Sequence, residues 1–262
     1  MSDVRVGVGG WTYEPWRGGV FYPCGLPQAQ ELAHASRALT TIEINGTYYS
    51  TQKPASFAKW RAETPDSFVF TLKAHRFATN RRVLAEAGPS IGHFIGSGMV
   101  ELGPKLGPIV WQFMPTKRFD AVDFGAFLAL LPKQVGGIPL RHAVEVRHES
   151  FACAEFVELA RRHGVATVFT DSDDYASFAD VTGDFVYVRT MRSRTELPAG
   201  YTDAELDAIA ASARAWAAGR EPAAPRVAGP APPRSARDVF VFFISAAKER
   251  NPAAAQSLIA RL

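Results

Sequence analysis

AVEVRHESFACAEFVELARRHGVATVFTD, residues 143–171, reads as a strand, a helix and a second strand. Ala143 to Val146 and Ala166 to Thr170 are short apolar runs, and Ala154 to His163 between them is helix-compatible. Both runs are continuous rather than alternating, as in strands covered on two faces. The same rhythm repeats outward. Upstream lie Val4 to Val8, Thr41 to Ile44, Phe68 to Leu72 and Ile109 to Trp111; downstream lie Phe185 to Val188 and Val239 to Ile244. Helix-compatible stretches separate them at Pro27 to Leu39, Phe57 to Glu63, Phe119 to Leu131 and Asp203 to Ala218. Eight β-then-α units predict the α/β class and a single (β/α)8 TIM-type barrel, for which 262 residues is an ordinary length. One domain over residues 1–262 is expected.

An open doubly wound sheet has a similar rhythm, but Gly7, Gly9 and Gly10 lack the G-x-G-x-x-G spacing of a dinucleotide turn. Two helix starts are legible. Thr202 with Glu205 forms a capping-box pattern, and Asn251 before Pro252 pairs an N-cap with a first-turn proline. Gly219 to Arg237 is dense in Pro, Ala and Arg and reads as a long extended or mobile loop before the last strand.

A hydrophobic fraction of 47% with 21% charged residues excludes a disordered or fibrous chain. No apolar run approaches the roughly 20 residues of a membrane helix, so no membrane partner is expected. The opening Ser2, Asp3, Val4, Arg5 and Val6 lacks the basic-then-apolar pattern of a secretory signal, and a cytoplasmic location is expected. Cys24 and Cys153 lie far apart without C-x-x-C spacing and read as plain buried thiols. A net charge of +3 permits a nucleic-acid partner only if the cations cluster.

Polar residues follow almost every strand at its C-terminal edge: Glu43 and Asn45, Lys73, Gln112, Glu145 and Arg147, Asp171, and Arg189. Side chains alternate faces along a strand, so Glu43 shares a face with Asn45, Thr71 with Lys73, Glu145 with Arg147, and Tyr187 with Arg189. If those faces point inward, three acids (Glu43, Glu145, Asp171) meet three bases (Lys73, Arg147, Arg189) at the end where α/β barrels hold their active sites. Glu145 and Asp171 follow neighbouring strands, where one carboxylate can raise the proton affinity of the other. The bland alternative is a set of charges that pair among themselves with no cleft.

Aromatics gather at the same end: Trp11, Tyr13 and Trp16, then Tyr48 and Tyr49, then Trp111 and Phe113. They either offer a stacking surface or roof the barrel. Arg189, Arg192, Arg194, Lys248 and Arg250 follow the last two strands, where barrels often bind phosphate, and Arg76, Arg81 and Arg82 could extend this basic rim. The six histidines show no metal-binding spacing, and His148 is expected to face away from Arg147. Glu43, Glu145 and Asp171 are the oxygen donors that could ligate a divalent metal such as magnesium or manganese. No serine-hydrolase elbow or P-loop is present.

Several segments together resemble the YecE-like family, also called domain of unknown function 72. They are Gly10-Trp11 with Tyr13, Trp16 and Phe21-Tyr22-Pro23; Glu43-Ile44-Asn45 with Tyr48-Tyr49; and Phe68-Val69-Phe70 with Lys73-Ala74. Gly107 to Gln112 and Glu145-Val146-Arg147-His148 continue the likeness nearly end to end. The resemblance implies an α/β barrel similar to metal-dependent isomerases and phosphodiesterases, and it carries no settled activity. Three departures stand out. Arg189 runs into Thr190-Met191-Arg192 where relatives continue Leu-His-Gly. Ile244-Ser245-Ala246 replaces paired asparagines, and Asn80 stands at a common histidine position.

The expected function is that of an enzyme acting on a small phosphorylated or otherwise anionic ligand, with phosphoester hydrolysis as the specific reaction. Glu43, Glu145 and Asp171 would supply acid-base or metal-ligating oxygens, while Lys73, Arg147 and Arg189 would neutralise developing charge. Asn45 and Gln112 would orient a ligand whose ring stacks on Trp11 or Tyr48, with Tyr13, Tyr187 and Arg192 in the same binding set. The alternative is a non-catalytic module that binds single-stranded nucleic acid.

Overall fold

Eight parallel strands close into a barrel in the computed structural model, which describes residues 3–231 and 236–262. They are β1 (Val4–Gly9), β2 (Thr41–Ile44), β3 (Val69–Lys73), β4 (Leu106–Gln112), β5 (His142–Glu145), β6 (Ala166–Thr170), β7 (Phe185–Thr190) and β8 (Asp238–Phe243). Each strand pairs with its sequence neighbours, and β1 closes the ring on β8 with Val4 opposite Val239. All eight expected strands are present. A two-residue antiparallel ladder, Gln134–Val135 with Ile138–Pro139, lies apart from the ring.

The strands read as unbroken apolar runs because both of their faces are buried. One face lines the barrel, where Val110, Ala143, Ala166, Val168, Phe185, Tyr187, Phe240, Phe242 and Ile244 form a closed cluster. Tyr187 stacks on Phe242 with ring centroids 5.0 Å apart. The other face meets the helices. Trp111 and Phe113 pack there against Phe127, both fully buried, so these two aromatics belong to the outer core and not to the mouth. Gly7 is needed on β1 because a Cβ there would stand 1.9 Å from the Thr41 carbonyl oxygen.

The helix Ala154–His163 buries Phe156, Val157, Leu159 and Ala160 and stops at Gly164, whose φ of 64° suits glycine. Its last turn carries Arg161, Arg162 and His163, favourable at the negative end of a helix. Thr202 and Glu205 form the expected capping box ahead of Asp203–Ala217. Asn251 is a correction. It already has helical dihedrals behind the short 3-10 turn Lys248–Arg250, and its buried side chain donates back to the Ser245 carbonyl instead of capping.

The expected loop from Gly219 to Arg237 is described except at residues 232–235, which lie outside the described residues. Its described part is pinned. Asp180 accepts from the Val227 and Ala228 amides, and Arg161 donates to the Gly229 carbonyl at 2.7 Å. Among the described residues, no helix is long and apolar enough to cross a membrane.

Candidate active site at the C-terminal mouth of the barrel

Moving up the inner face, side chains change from apolar to charged. β7 presents Phe185, then Tyr187, then Arg189, and β5 presents Ala143, then Glu145, with Arg147 beyond its end. Arg189 is the hub. It is 3% exposed and bridges two buried carboxylates, donating to Glu43 Oε1 at 2.9 Å and to Glu145 Oε2. Arg147 donates to the other Glu145 oxygen at 2.7 Å, and the Tyr187 hydroxyl donates to Glu43 Oε2 at 2.6 Å. Thr71 supports Tyr187 from 3.0 Å. Every oxygen of the two carboxylates is therefore engaged.

Above this layer lies a cavity of about 420 Å³ lined by Gly9, Trp16, Asn45, Tyr49, Lys73, Gln112, Arg147, Arg189, Phe243, Ile244, Ser245, Lys248 and Asn251. Seven of the eight strands feed it. Among the described residues, its walls carry four cationic side chains and no carboxylate, while Glu43 and Glu145 lie sealed underneath. Gln112 Oε1 accepts from both Arg147 at 3.0 Å and Arg189 at 3.1 Å, which fixes the two guanidiniums as a pair. Arg147 also lies 4.3 Å over the ring of Tyr175, a contact with no signal in the strand pattern because Tyr175 sits in a loop. A larger hollow of about 730 Å³ lies at the opposite end, among Arg141, Arg161 and Gly183 beside Pro230 and Ala231. Barrel chemistry belongs to the other end.

Proton affinities follow from this layering. Burial alone would raise the Glu145 pKa, but the guanidiniums of Arg189 and Arg147 overcome it and hold the group below its ordinary value. Burial, aided by the Glu43 carboxylate, raises the Tyr187 hydroxyl well above its usual range. Lys73 is pushed down to about 8 by burial and by the charge of Arg189. Its ammonium sits 4.3 Å over the Tyr48 ring, and among the described residues it has no hydrogen bond or ion pair. Burial also lowers Lys248, which lies 4.3 Å over the ring of Tyr13.

Glu43, Asn45, Lys73, Gln112, Glu145, Arg147, Tyr187 and Arg189 are brought together, with Tyr48 against Lys73. Tyr187 and the two carboxylates form the floor and Lys73, Gln112 and the arginines the wall. Asp171 is elsewhere. Its oxygens accept from the Met191 amide and, at 3.2 Å, from the Tyr201 hydroxyl, and burial raises its pKa without any part played by Glu145. The expected pairing of these two carboxylates is therefore absent. Arg192 lies exposed on the following loop, 3.3 Å from Asp173. Trp11 packs edge-on to Trp60 at 5.2 Å, outside the cavity lining, and Tyr13 reaches the site only through Lys248. His148 caps a short turn, its Nδ1 accepting from the Ser150 amide. Trp16, Tyr49, Ser245 and Asn251 are wall residues that the strand pattern alone did not select, since they lie in connections.

The donor set does not suit a divalent metal. Glu43 and Glu145 are neutralised by guanidiniums, Asp171 is apart, and among the described residues no group of three His, Cys, Asp or Glu side chains is placed to hold an ion.

The profile of a family described as protein of unknown function DUF72 matches residues 5–262. The UPF0759 protein YunF of Bacillus subtilis (strain 168) is 27% identical over 161 residues, 59% of this chain and 54% of that protein, so the match spans about half of the relative. A DUF72 family protein of Thermotoga maritima superposes with a TM-score of 0.72 at 23% identity, covering 98% of this chain and 96% of that one. A D-psicose 3-epimerase superposes at 0.54 with 11% identity over 98% and 96% of the two chains, a likeness of fold alone. The blocks that carry the sequence resemblance are the ones that build the barrel strands and its mouth, and the chain belongs to the DUF72 family.

Proposed function

We propose that the barrel mouth is the active site of an enzyme that acts on a small phosphorylated or otherwise anionic ligand. One observation carries this reading: among the described residues, four cationic side chains and no carboxylate line a cavity of about 420 Å³. A cavity of that size suits a small molecule. The paired guanidiniums of Arg147 and Arg189 match the geometry of a phosphate or carboxylate. Gln112 and Glu145 hold them in place before any ligand arrives, so little reorganisation accompanies binding.

Phosphoester hydrolysis would use these cations to neutralise charge on the transferring group. It also asks for a group to orient or activate water. Glu43 and Glu145 are sealed and fully engaged, so hydrolysis would rely on the cations and on the Lys73 amine. Titration calorimetry with inorganic phosphate tests the reading. Binding should weaken about 10- to 100-fold in Arg147→Met, the equivalent of losing a charge-assisted hydrogen bond worth about 1.5–3 kcal/mol. Undetectable phosphate binding by the intact protein at low salt would refute it.

A second reading, binding of single-stranded nucleic acid, is favoured by a groove lined by Arg81, Arg82, Lys117 and Arg118, with Phe77 of the neighbouring turn 62% exposed. Oligonucleotide affinity that falls steeply with salt would support it, and affinity indifferent to salt would remove its physical basis.

A further inference from the structure

Lys73 differs from the other charged groups of the mouth. It ends β3 inside the cavity and is 9% exposed. The carboxylates that could have paired with it are bound by Arg189, Arg147 and Tyr187. Among the described residues, its Nζ is held only by the face of Tyr48, which steadies the side chain without offering a lone pair or taking a proton. Lysine was expected here as a plain neutraliser of charge. A neutraliser works best fully protonated, yet this one is desolvated and set beside two guanidiniums, conditions that favour the neutral amine. The amine and a rigid anion clamp thus share one small chamber.

We propose that Lys73 condenses with the carbonyl group of a small phosphorylated aldehyde or ketone, whose phosphate rests on Arg147 and Arg189, to form an imine. This deepens the reading of the mouth as an anion site and rests on it. The nitrogen lone pair attacks the carbonyl carbon, forming a C–N bond while the carbonyl π electrons move to oxygen. Nitrogen loses a proton and oxygen gains one. The carbinolamine then loses water, the second nitrogen proton leaving with the hydroxyl, and gives the imine. No oxidant or reductant takes part. The lowering of Lys73 to about 8 agrees with this role, because near neutral pH a useful fraction of the amine is free.

The test is trapping. The full-length protein is incubated with glycolaldehyde phosphate and sodium cyanoborohydride, digested, and mapped by mass spectrometry, with exposed Lys133 as the internal reference. Near pH 8, Lys73 should be modified at least about tenfold faster than Lys133, which stands outside the anion clamp. Excess inorganic phosphate should slow Lys73 alone, and uncharged glycolaldehyde should show a smaller preference for Lys73, the part that comes from the free amine without the clamp. The same reduction is expected in Arg147→Met, which leaves the amine in place. If phosphate binds by calorimetry but Lys73 reacts no faster than Lys133, the imine is refuted and the anion site stands. If phosphate neither binds nor protects, and neutral and phosphorylated aldehydes react alike, both readings fall.

Discussion

Ser245 and Ala246 have φ angles of 60° and 45°, and they are the positive-φ residues other than glycine among those described. They turn the chain from β8 into the wall of the mouth, where Asn251 fixes the turn by donating to the Ser245 carbonyl at 3.3 Å. For a residue with a Cβ this conformation costs about 1–2 kcal/mol, and asparagine tolerates it better than most. The paired asparagines that the family resemblance implies near this strand thus have a backbone reason, one that Ser245 and Ala246 meet at a cost. Ala246→Gly should therefore stabilise the protein by about 0.5–1 kcal/mol in urea unfolding, after allowing for the greater freedom of glycine in the unfolded chain. Ala247→Gly, at a φ of −73°, should do the opposite. Equal effects would show that the turn is not strained. Asp171 teaches a different lesson at this scale. Ala166 and Val168 face the barrel interior and Phe169 packs outward on Trp216, so period-two alternation already sends Asp171 away from the mouth. That phase was present in the sequence, but proximity to a strand end is too coarse a criterion to reveal it.

The strands themselves were legible because burial on both faces leaves a composition that helices and loops do not share. Depth within the barrel was not. Alternation says that Tyr187 and Arg189 share a face, but only the register of neighbouring strands places Arg189 at the cavity and Tyr187 beneath it. The same holds between β4 and β5, where Trp111 donates to His142 Nδ1 at 3.1 Å and His142 Nε2 donates to the Pro132 carbonyl at 2.8 Å. This arrangement needs a neutral ring, and burial lowers the His142 pKa from its ordinary value. The unfolded chain then binds more protons than the folded one between the lowered value and the ordinary 6.5 or so, so stability is full above that window and falls as pH drops through it. His142→Gln can accept from Trp111 and donate to Pro132 without titrating. Between about pH 7 and pH 5.5 its urea midpoint should fall less than that of the parent protein, and equal slopes would show that His142 does not govern the acid limb.

At the scale of the whole molecule, the mouth is a product of closure. Its wall draws on β1, β2, β3, β4, β5, β7 and β8 or on the turns that follow them, residues scattered from Gly9 to Asn251 that meet only when β1 pairs with β8. A chain that lost one strand would lose the clamp. Ligand binding is therefore linked to global unfolding and not to the local opening of one loop, since a ligand for the folded state alone stabilises by RT ln(1 + [L]/Kd). Phosphate at about 100 times its Kd should add about 2.7 kcal/mol, and the gain should appear equally in tryptophan fluorescence and in far-ultraviolet dichroism. Fluorescence reports Trp111 of the outer core and Trp16 of the mouth together, whereas dichroism reports the helical ring, so coincident shifts require the barrel to unfold as one body. Arg147→Met should lose most of the gain while its unliganded midpoint moves less, because Arg147 lies at the wall and Arg189 still neutralises the sealed carboxylates. Phosphate that shifted the fluorescence transition and left the dichroism transition in place would show that the mouth comes apart before the barrel does.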